Sequence, residues 1–195
     1  MRRLLVILAT AVVPLQAQRT IPIVIETSMG TIEAELDSVH APITAMNFLR
    51  YVDAHMLDGG SFFRAVTLDN DPDKDVKIEV IQSRPAAEQN GKGFPAIALE
   101  RTNVTGLVHH DGVLSMARGV STTSATNQFF ITIGEQPELD FGGKRNADGQ
   151  GFAAFGRVTK GMDVVRRIQQ GALQKPPANP QYLVRPVTII SVKRK

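Results

Sequence analysis

Short β-prone runs, each closed off by glycine, proline or a polar cluster, recur along almost the whole chain: IPIVIE, TIEAEL, SFFRAV, KIEVIQ, GVLSMA, QFFITIG, FAAFGRV and VTIISV. Runs of this length, spaced by turn residues, form strands and pair into a sheet; they are too short for a helix to bury a useful face. Only two stretches carry helical period. Pro42 suits the first turn of a helix, and Ala45, Met46, Leu49 and Val52 recur at helical spacing from Ala41 to about Asp53. Gly161-Met162-Asp163 opens a second helix that ends near Gly171. Many strands and two helices predict a mainly β fold, a closed antiparallel eight-stranded barrel capped by two α-helices.

The connections have characters of their own. Thr27 to Gly30 reads as the turn of an opening hairpin over Ile21 to Leu36, and residues 67–77 as a polar, acidic loop. From Gly91 to Leu107 no period persists, and a long irregular connection of that kind often lines a site. A Gly-rich segment spans 142–151, and residues 175–186, with four prolines, read as an extended tail before VTIISV.

At the other end, MRRLLVILATAVVPLQAQ sets two arginines before an apolar run from Leu4 to Val13 and then small or polar residues. That is the layout of a secretory signal peptide, with cleavage expected after Ala17. The run is shorter than the roughly 20 apolar residues a membrane-spanning helix needs, which makes a retained anchor the lesser alternative, and no stable insertion is expected once the leader is removed. The chain carries 22 Lys+Arg against 19 Asp+Glu; loss of Arg2 and Arg3 leaves 20 against 19, a net charge of +1. A balance this even, with Lys193-Arg194-Lys195 the single dense basic run, argues against nucleic acid as a partner. Cysteine is absent, which excludes disulfides and thiolate chemistry.

Three constellations invite chemistry and fall short on spacing. His109-His110-Asp111 with Ser115 or Ser124 holds the residue types of a hydrolase or a metal site, but adjacency supplies no orienting third group, and a turn with partly exposed histidines is expected. Asp69, Asp71, Asp73 and Asp75 alternate like a calcium loop, yet Lys74 stands where glycine is needed and Val80 where glutamate is. The glycines from Gly142 to Gly156 lack the strand, turn and helix order of a dinucleotide fingerprint. No metal or cofactor is expected.

A different, ordered set is more specific: FFR at 62–64, VIQ at 80–82, GVLSMAR at 112–118, NQFFI at 127–131, LDF at 139–141 and FAAFGRVTKGMDVV at 152–165. Together these segments resemble the cyclophilin family of peptidyl-prolyl cis/trans isomerases over most of the chain from residue 18 to 195. The resemblance implies rotation about X–Pro bonds in proline-containing polypeptides, catalysed by Arg64 and Gln82. It places Phe62, Val80, Ala117, Arg118, Gly119, Gln128, Phe130, Leu139 and Phe152 against the substrate. Val80 stands where methionine is common and Arg118 where asparagine is usual. The chain has no tryptophan, and Glu138 stands where many members carry one, so cyclosporin is expected to bind poorly. Arg118 is expected to attract acidic substrates. The family's pocket phenylalanine has no obvious counterpart, Glu79 being nearest. With the leader, the resemblance implies an exported, periplasmic, monomeric bacterial form that assists folding of other exported proteins. A proline-peptide binding module with little turnover is the alternative on the same fold.

Overall fold

The computed structural model describes residues 20–70 and 75–195; the leader over residues 1–17, and Asp71 and Asp73 of the acidic alternation, lie outside the described residues. Eight strands close into one barrel: β1 (Thr20–Thr27), β2 (Gly30–Asp37), β3 (Ser61–Val66), β4 (Val80–Arg84), β5 (Val113–Met116), β6 (Phe129–Thr132), β7 (Ala153–Lys160) and β8 (Tyr182–Arg194). Their order around the barrel is β1-β2-β7-β5-β6-β4-β3-β8. Every neighbouring pair is antiparallel. Closure leaves no strand edge unpaired, which is how an all-antiparallel sheet of this size protects itself from edge-to-edge association.

Two helices cap it, as the sequence predicts: α1 (Pro42–Asp53) and, later in the chain, α3 (Met162–Gln169), while a four-residue helix, α2 (Thr102–Thr105), falls inside the long connection read as irregular. The N-terminus of α1 is capped from far along the chain, the Glu100 carboxylate accepting from the backbone N–H groups of Ile43 at 3.0 Å and Thr44 at 2.7 Å. A carboxylate there satisfies two otherwise orphaned donors and meets the positive end of the helix dipole. It also ties the 91–107 connection to α1. The buried face of α1 runs through Ala45, Phe48, Leu49 and Val52, and Met46, expected on that face, is 49% exposed. One residue past Ala45 is about 100° around the helix, which carries Met46 off the stripe.

The core lies inside the barrel, where Phe48 meets Phe129 edge to face at 5.2 Å and Phe62 meets the same ring at 5.8 Å. Two strands depart from their expected limits. Pairing with β6 starts at Val80↔Thr132, so β4 begins three residues later than KIEVIQ suggests and runs on to Arg84. Strand β8 starts at Tyr182, five residues before VTIISV, and takes in Pro186. The proline sits where the β3–β8 register shifts, between the pairs Phe62↔Val187 and Arg64↔Tyr182, a place where a ladder loses nothing by lacking a donor. Among the described residues no helix is long and apolar enough to cross a membrane.

Candidate active site

The same register shift aims the candidate catalytic residue. In a regular strand Phe62 and Arg64 would share a face. A bulge at Phe63, between the pairs Phe62↔Ser83 and Arg64↔Gln82, puts them on opposite faces. Phe62 and Ala65 therefore enter the barrel core, while Val66 joins a second, smaller cluster with Ile78, Val80, Phe130 and Leu139. Ala117 and Phe152 pack against that cluster from outside.

Beside this cluster lies a cavity of about 120 Å³ lined by Arg64, Ile78, Val80, Gln82, Ala117, Arg118, Phe130, Leu139, Arg145 and Phe152. Phe130 and Phe152 meet edge to face at 5.3 Å and form two of its apolar walls. The Arg64 guanidinium is held by glutamine oxygens: Nη1 donates to Gln82 Oε1 at 2.7 Å, and Nε and Nη2 both donate to Gln181 Oε1, at 2.9 and 2.6 Å. Gln82 in turn donates through Nε2 to Gln128 Oε1 at 3.3 Å. A partly buried guanidinium fixed in this way beside an apolar slot is a preorganised donor array.

Of the residues the sequence points to, Arg64, Gln82, Val80, Ala117, Arg118, Phe130, Leu139 and Phe152 converge on this cavity. Gln128 stands beside it, bonded to Gln82 and lining a neighbouring cavity of about 260 Å³ with Tyr51, Phe94 and Asn127. Phe62 does not reach it; its ring is wholly buried in the barrel core. Gly119 lies outside the lining, its N–H given to Ser124 Oγ at 2.9 Å, and the Ala117 N–H goes to the Gln128 carbonyl at 2.9 Å. A substrate strand would thus meet this stretch through other groups than those two donors.

Arg118 is not the exposed attractor of acidic substrates expected from its charge. Its side chain is 1% exposed and turned back on the protein. Nε donates to the Gly151 carbonyl at 2.8 Å, Nη2 to Asp148 Oδ1 at 2.8 Å, and the guanidinium lies over the Phe152 ring at 5.4 Å. The bond from Arg118 and the backbone N–H of Gln150 hold the Asp148 carboxyl below the usual aspartate range. Arg118 thereby fastens the Gly-rich 142–151 segment to the chain leaving β5, and Gly151, at φ +66°, lets that backbone close on Asp140 where a Cβ would lie 2.6 Å from its carbonyl carbon.

Three lining or clamping residues were missed by the sequence reading. Ile78, not Glu79, completes the pocket wall; Glu79 faces away and accepts from Gln169 Nε2 at 3.1 Å. Ile78 sits two residues before Val80, so period-two alternation was the available signal. Arg145 comes from the Gly-rich segment, donating through Nη1 to the Val76 carbonyl at 3.1 Å, and Gln181 comes from the proline-rich tail; neither has a local pattern that announces it.

The histidine cluster resolves differently from the partly exposed turn expected. His109 is buried, between Asp140 Oδ1 at 2.6 Å and Ser115 Oγ at 2.8 Å. His110 is exposed and pairs with Glu135, and Asp111 binds the Gly134 N–H at 2.7 Å and Arg166 Nη2 at 2.6 Å. Asp140, His109 and Ser115 are ordered like a hydrolytic triad, but Ser115 is 0% exposed in the middle of β5, where no substrate reaches it. Among the described residues no three His, Asp or Glu side chains converge as metal ligands. A larger cavity of about 300 Å³, lined by Glu35, Asp37, His110 and Arg157 among others, has no aromatic wall, and its Arg157 is held at one point, Nη2 to Glu35 Oε2 at 3.4 Å, so the smaller cavity is the more organised one.

Residues 22–194 match the family model described as cyclophilin type peptidyl-prolyl cis-trans isomerase/CLD. The chain is 30% identical over 195 residues to a peptidyl-prolyl cis-trans isomerase of Acinetobacter baylyi, covering 100% of this chain and 96% of that one. It is 35% identical over 169 residues to one of Streptomyces antibioticus, covering 87% and 95%. A solved cyclophilin type isomerase of Cryptosporidium parvum superposes with a TM-score of 0.71 over 90% of this chain and 98% of that one, at 18% identity, a likeness of fold.

Proposed function

The chain belongs to the cyclophilin-type peptidyl-prolyl cis-trans isomerase family, and we propose on that footing that Arg64 is the residue through which it speeds rotation about X–Pro peptide bonds. One juxtaposition carries this reading: the guanidinium clamped by Gln82 and Gln181 lines the same cavity as the apolar walls Phe130, Leu139, Phe152, Val80 and Ile78.

The barrier to be lowered is the partial double bond of the amide, about 18–20 kcal/mol, which leaves uncatalysed exchange on a scale of roughly tens to hundreds of seconds. No covalent bond breaks. Twisting the bond ends its resonance and returns a lone pair to the prolyl nitrogen, so a fixed donor aimed there binds the twisted state better than either planar isomer. The apolar slot grips the proline ring while the preceding carbonyl swings. Gln82 keeps the donor in register and offers its amide to the substrate backbone. Exchange spectroscopy on an X–Pro peptide tests the reading: line broadening that depends on the wild-type protein is expected, and binding without accelerated exchange would reject it in favour of a binding module.

We further propose that residues 1–17 direct export and that the substrates are other exported polypeptides in the periplasm. The support is the order of charge, apolar run and small residues at the N-terminus. Mass spectrometry of the protein recovered after secretion should find Gln18 first; a chain starting at Met1 would reject cleavage.

A further inference from the structure

One buried imidazole touches the neighbourhood of three pocket walls at once. The His109 side chain is 0% exposed. Its ring stacks on Phe130, centroids 6.1 Å apart and planes 15° from parallel. Nδ1–H donates to Asp140 Oδ1 at 2.6 Å, and Asp140 is the residue after Leu139. Nε2 lies within hydrogen-bonding distance of the Ser115 hydroxyl oxygen, 2.8 Å away. The Ser115 hydroxyl donates to the carbonyl of Ala153, the residue after Phe152, at 3.1 Å.

The backbone repeats the pattern. The His109 N–H donates to Asp140 Oδ1 at 3.2 Å, and its carbonyl accepts from the Gln136 N–H at 2.8 Å, so one residue holds both ends of the turn that carries Leu139. Phe152 closes the circuit, its N–H donating to the Leu139 carbonyl at 2.9 Å. Ser115 is the cross-strand partner of Phe130, which puts both on the outer face of the barrel beneath this covering turn.

We propose that His109 is a positioning residue that sets the width of the proline slot, with Asp140 and Ser115 as its two arms. This rests on the isomerase reading above. A rigid ring with polar atoms on opposite sides can brace two backbone segments and still present an apolar face to Phe130; a flexible amide offers its two polar atoms from one end. Buried, fully satisfied polar groups of this kind fix one packing among several, because each alternative leaves a donor or acceptor unpaired. The triad-like order is in this view structural, with the hydroxyl turned to the inner wall of the site and not to the substrate.

The test compares wild type with His109→Ala and, because that variant leaves polar groups unpaired and can fail to fold, with Ser115→Ala, which cuts one arm only. Three quantities are read: KM and kcat for an X–Pro peptide, its Kd by NMR titration, and the ring-to-methyl NOEs joining Leu139, Phe130 and Phe152 in the free protein. For folded His109→Ala, KM and Kd should rise about tenfold, a loss of roughly 1.4 kcal/mol of binding. Its kcat should stay within about threefold, because Arg64 keeps its clamps, and the NOEs should weaken. Ser115→Ala should shift the same quantities less, mainly at Phe152. A lowered melting temperature with unchanged Kd and NOEs in both variants would reduce His109 to core packing and overturn the proposal. Absence of exchange catalysis in the wild type would sink the isomerase reading alone, since the NOEs and the Kd still decide the role of His109.

Discussion

Gln181 accepts two hydrogen bonds from Arg64 through a single amide oxygen, at 2.9 and 2.6 Å, across a sequence separation of 117 residues. The amide oxygen faces the Nε–Nη2 edge of the guanidinium, while Gln82 takes the Nη1 edge at 2.7 Å. Held from two sides, the plane of the donor is fixed before any substrate arrives. In the mechanism proposed above, that preorganisation is what would make an electrostatic contribution effective at the moment of twist.

Truncating Gln181 to alanine should therefore act on turnover more than on binding. The loss expected is about 1–2 kcal/mol of transition-state stabilisation, or roughly 5- to 30-fold in kcat, with KM little changed. Steady-state assays on a proline peptide separate the two constants. A Gln181→Ala protein with wild-type kcat would mean that Gln82 alone suffices.

Arg64 itself separates charge from geometry. Arg64→Ala should lower kcat/KM by about 10- to 1000-fold, equivalent to about 1.4–4 kcal/mol. Arg64→Lys keeps the charge but replaces a planar fork by a mobile point donor that cannot engage both glutamines at once, so most of the loss should persist. If lysine restored full activity, positive charge at the site, and not a fixed donor, would be the requirement.

The barrel and its two caps were legible because strands and helices of this length are written in local alternation and period, and the ends of β4 and β8 slipped because partner strands, not propensity, set them. The site was legible where it lies on regular strand: Val80, Gln82 and Phe130 share the outer face of adjacent strands. Phe62 was misplaced because the bulge at Phe63 reverses the facing of everything after it, and no residue type marks a bulge in SFFRAV. Gln181 and the His109–Asp140 contact are products of closure, joining residues 117 and 31 positions apart. Arg118 could be read as a charge but not as a charge already paired, since its partner Asp148 lies 30 residues away in a segment without period.

That pairing gives the border of the cavity a dependence on acid. Asp148 is held below the usual aspartate range by the Arg118 guanidinium first and the Gln150 N–H second. A carboxylate whose folded pKa is depressed contributes its contacts fully above the ordinary value and loses them as pH falls through the depressed one. The Gln150 amide and the Arg118 Nη2–H signals should therefore shift in an NMR titration only below the ordinary aspartate range, and Asp148→Asn should abolish that step. A transition at the ordinary value would show that the pair does not form in solution.

Ile78 closes the pocket wall where the family's phenylalanine has no obvious counterpart. Ile78 is 4% exposed and packs with Val66, Val80, Phe130 and Leu139, so it serves stability and shape together. Ile78→Ala should cost about 2–4 kcal/mol, at the lower end if the neighbours lining the adjoining cavity relax into the space, and is read from a denaturant midpoint. The slot should then grip the proline ring less well, raising KM severalfold while kcat holds, because the substitution leaves the Arg64 clamp untouched. Proline-containing and proline-free peptides of equal length discriminate the cause: only the former should lose affinity if Ile78 contacts the ring. Equal losses for both would place Ile78 in general surface packing, and the slot would have to be closed by Phe130, Leu139 and Phe152 alone.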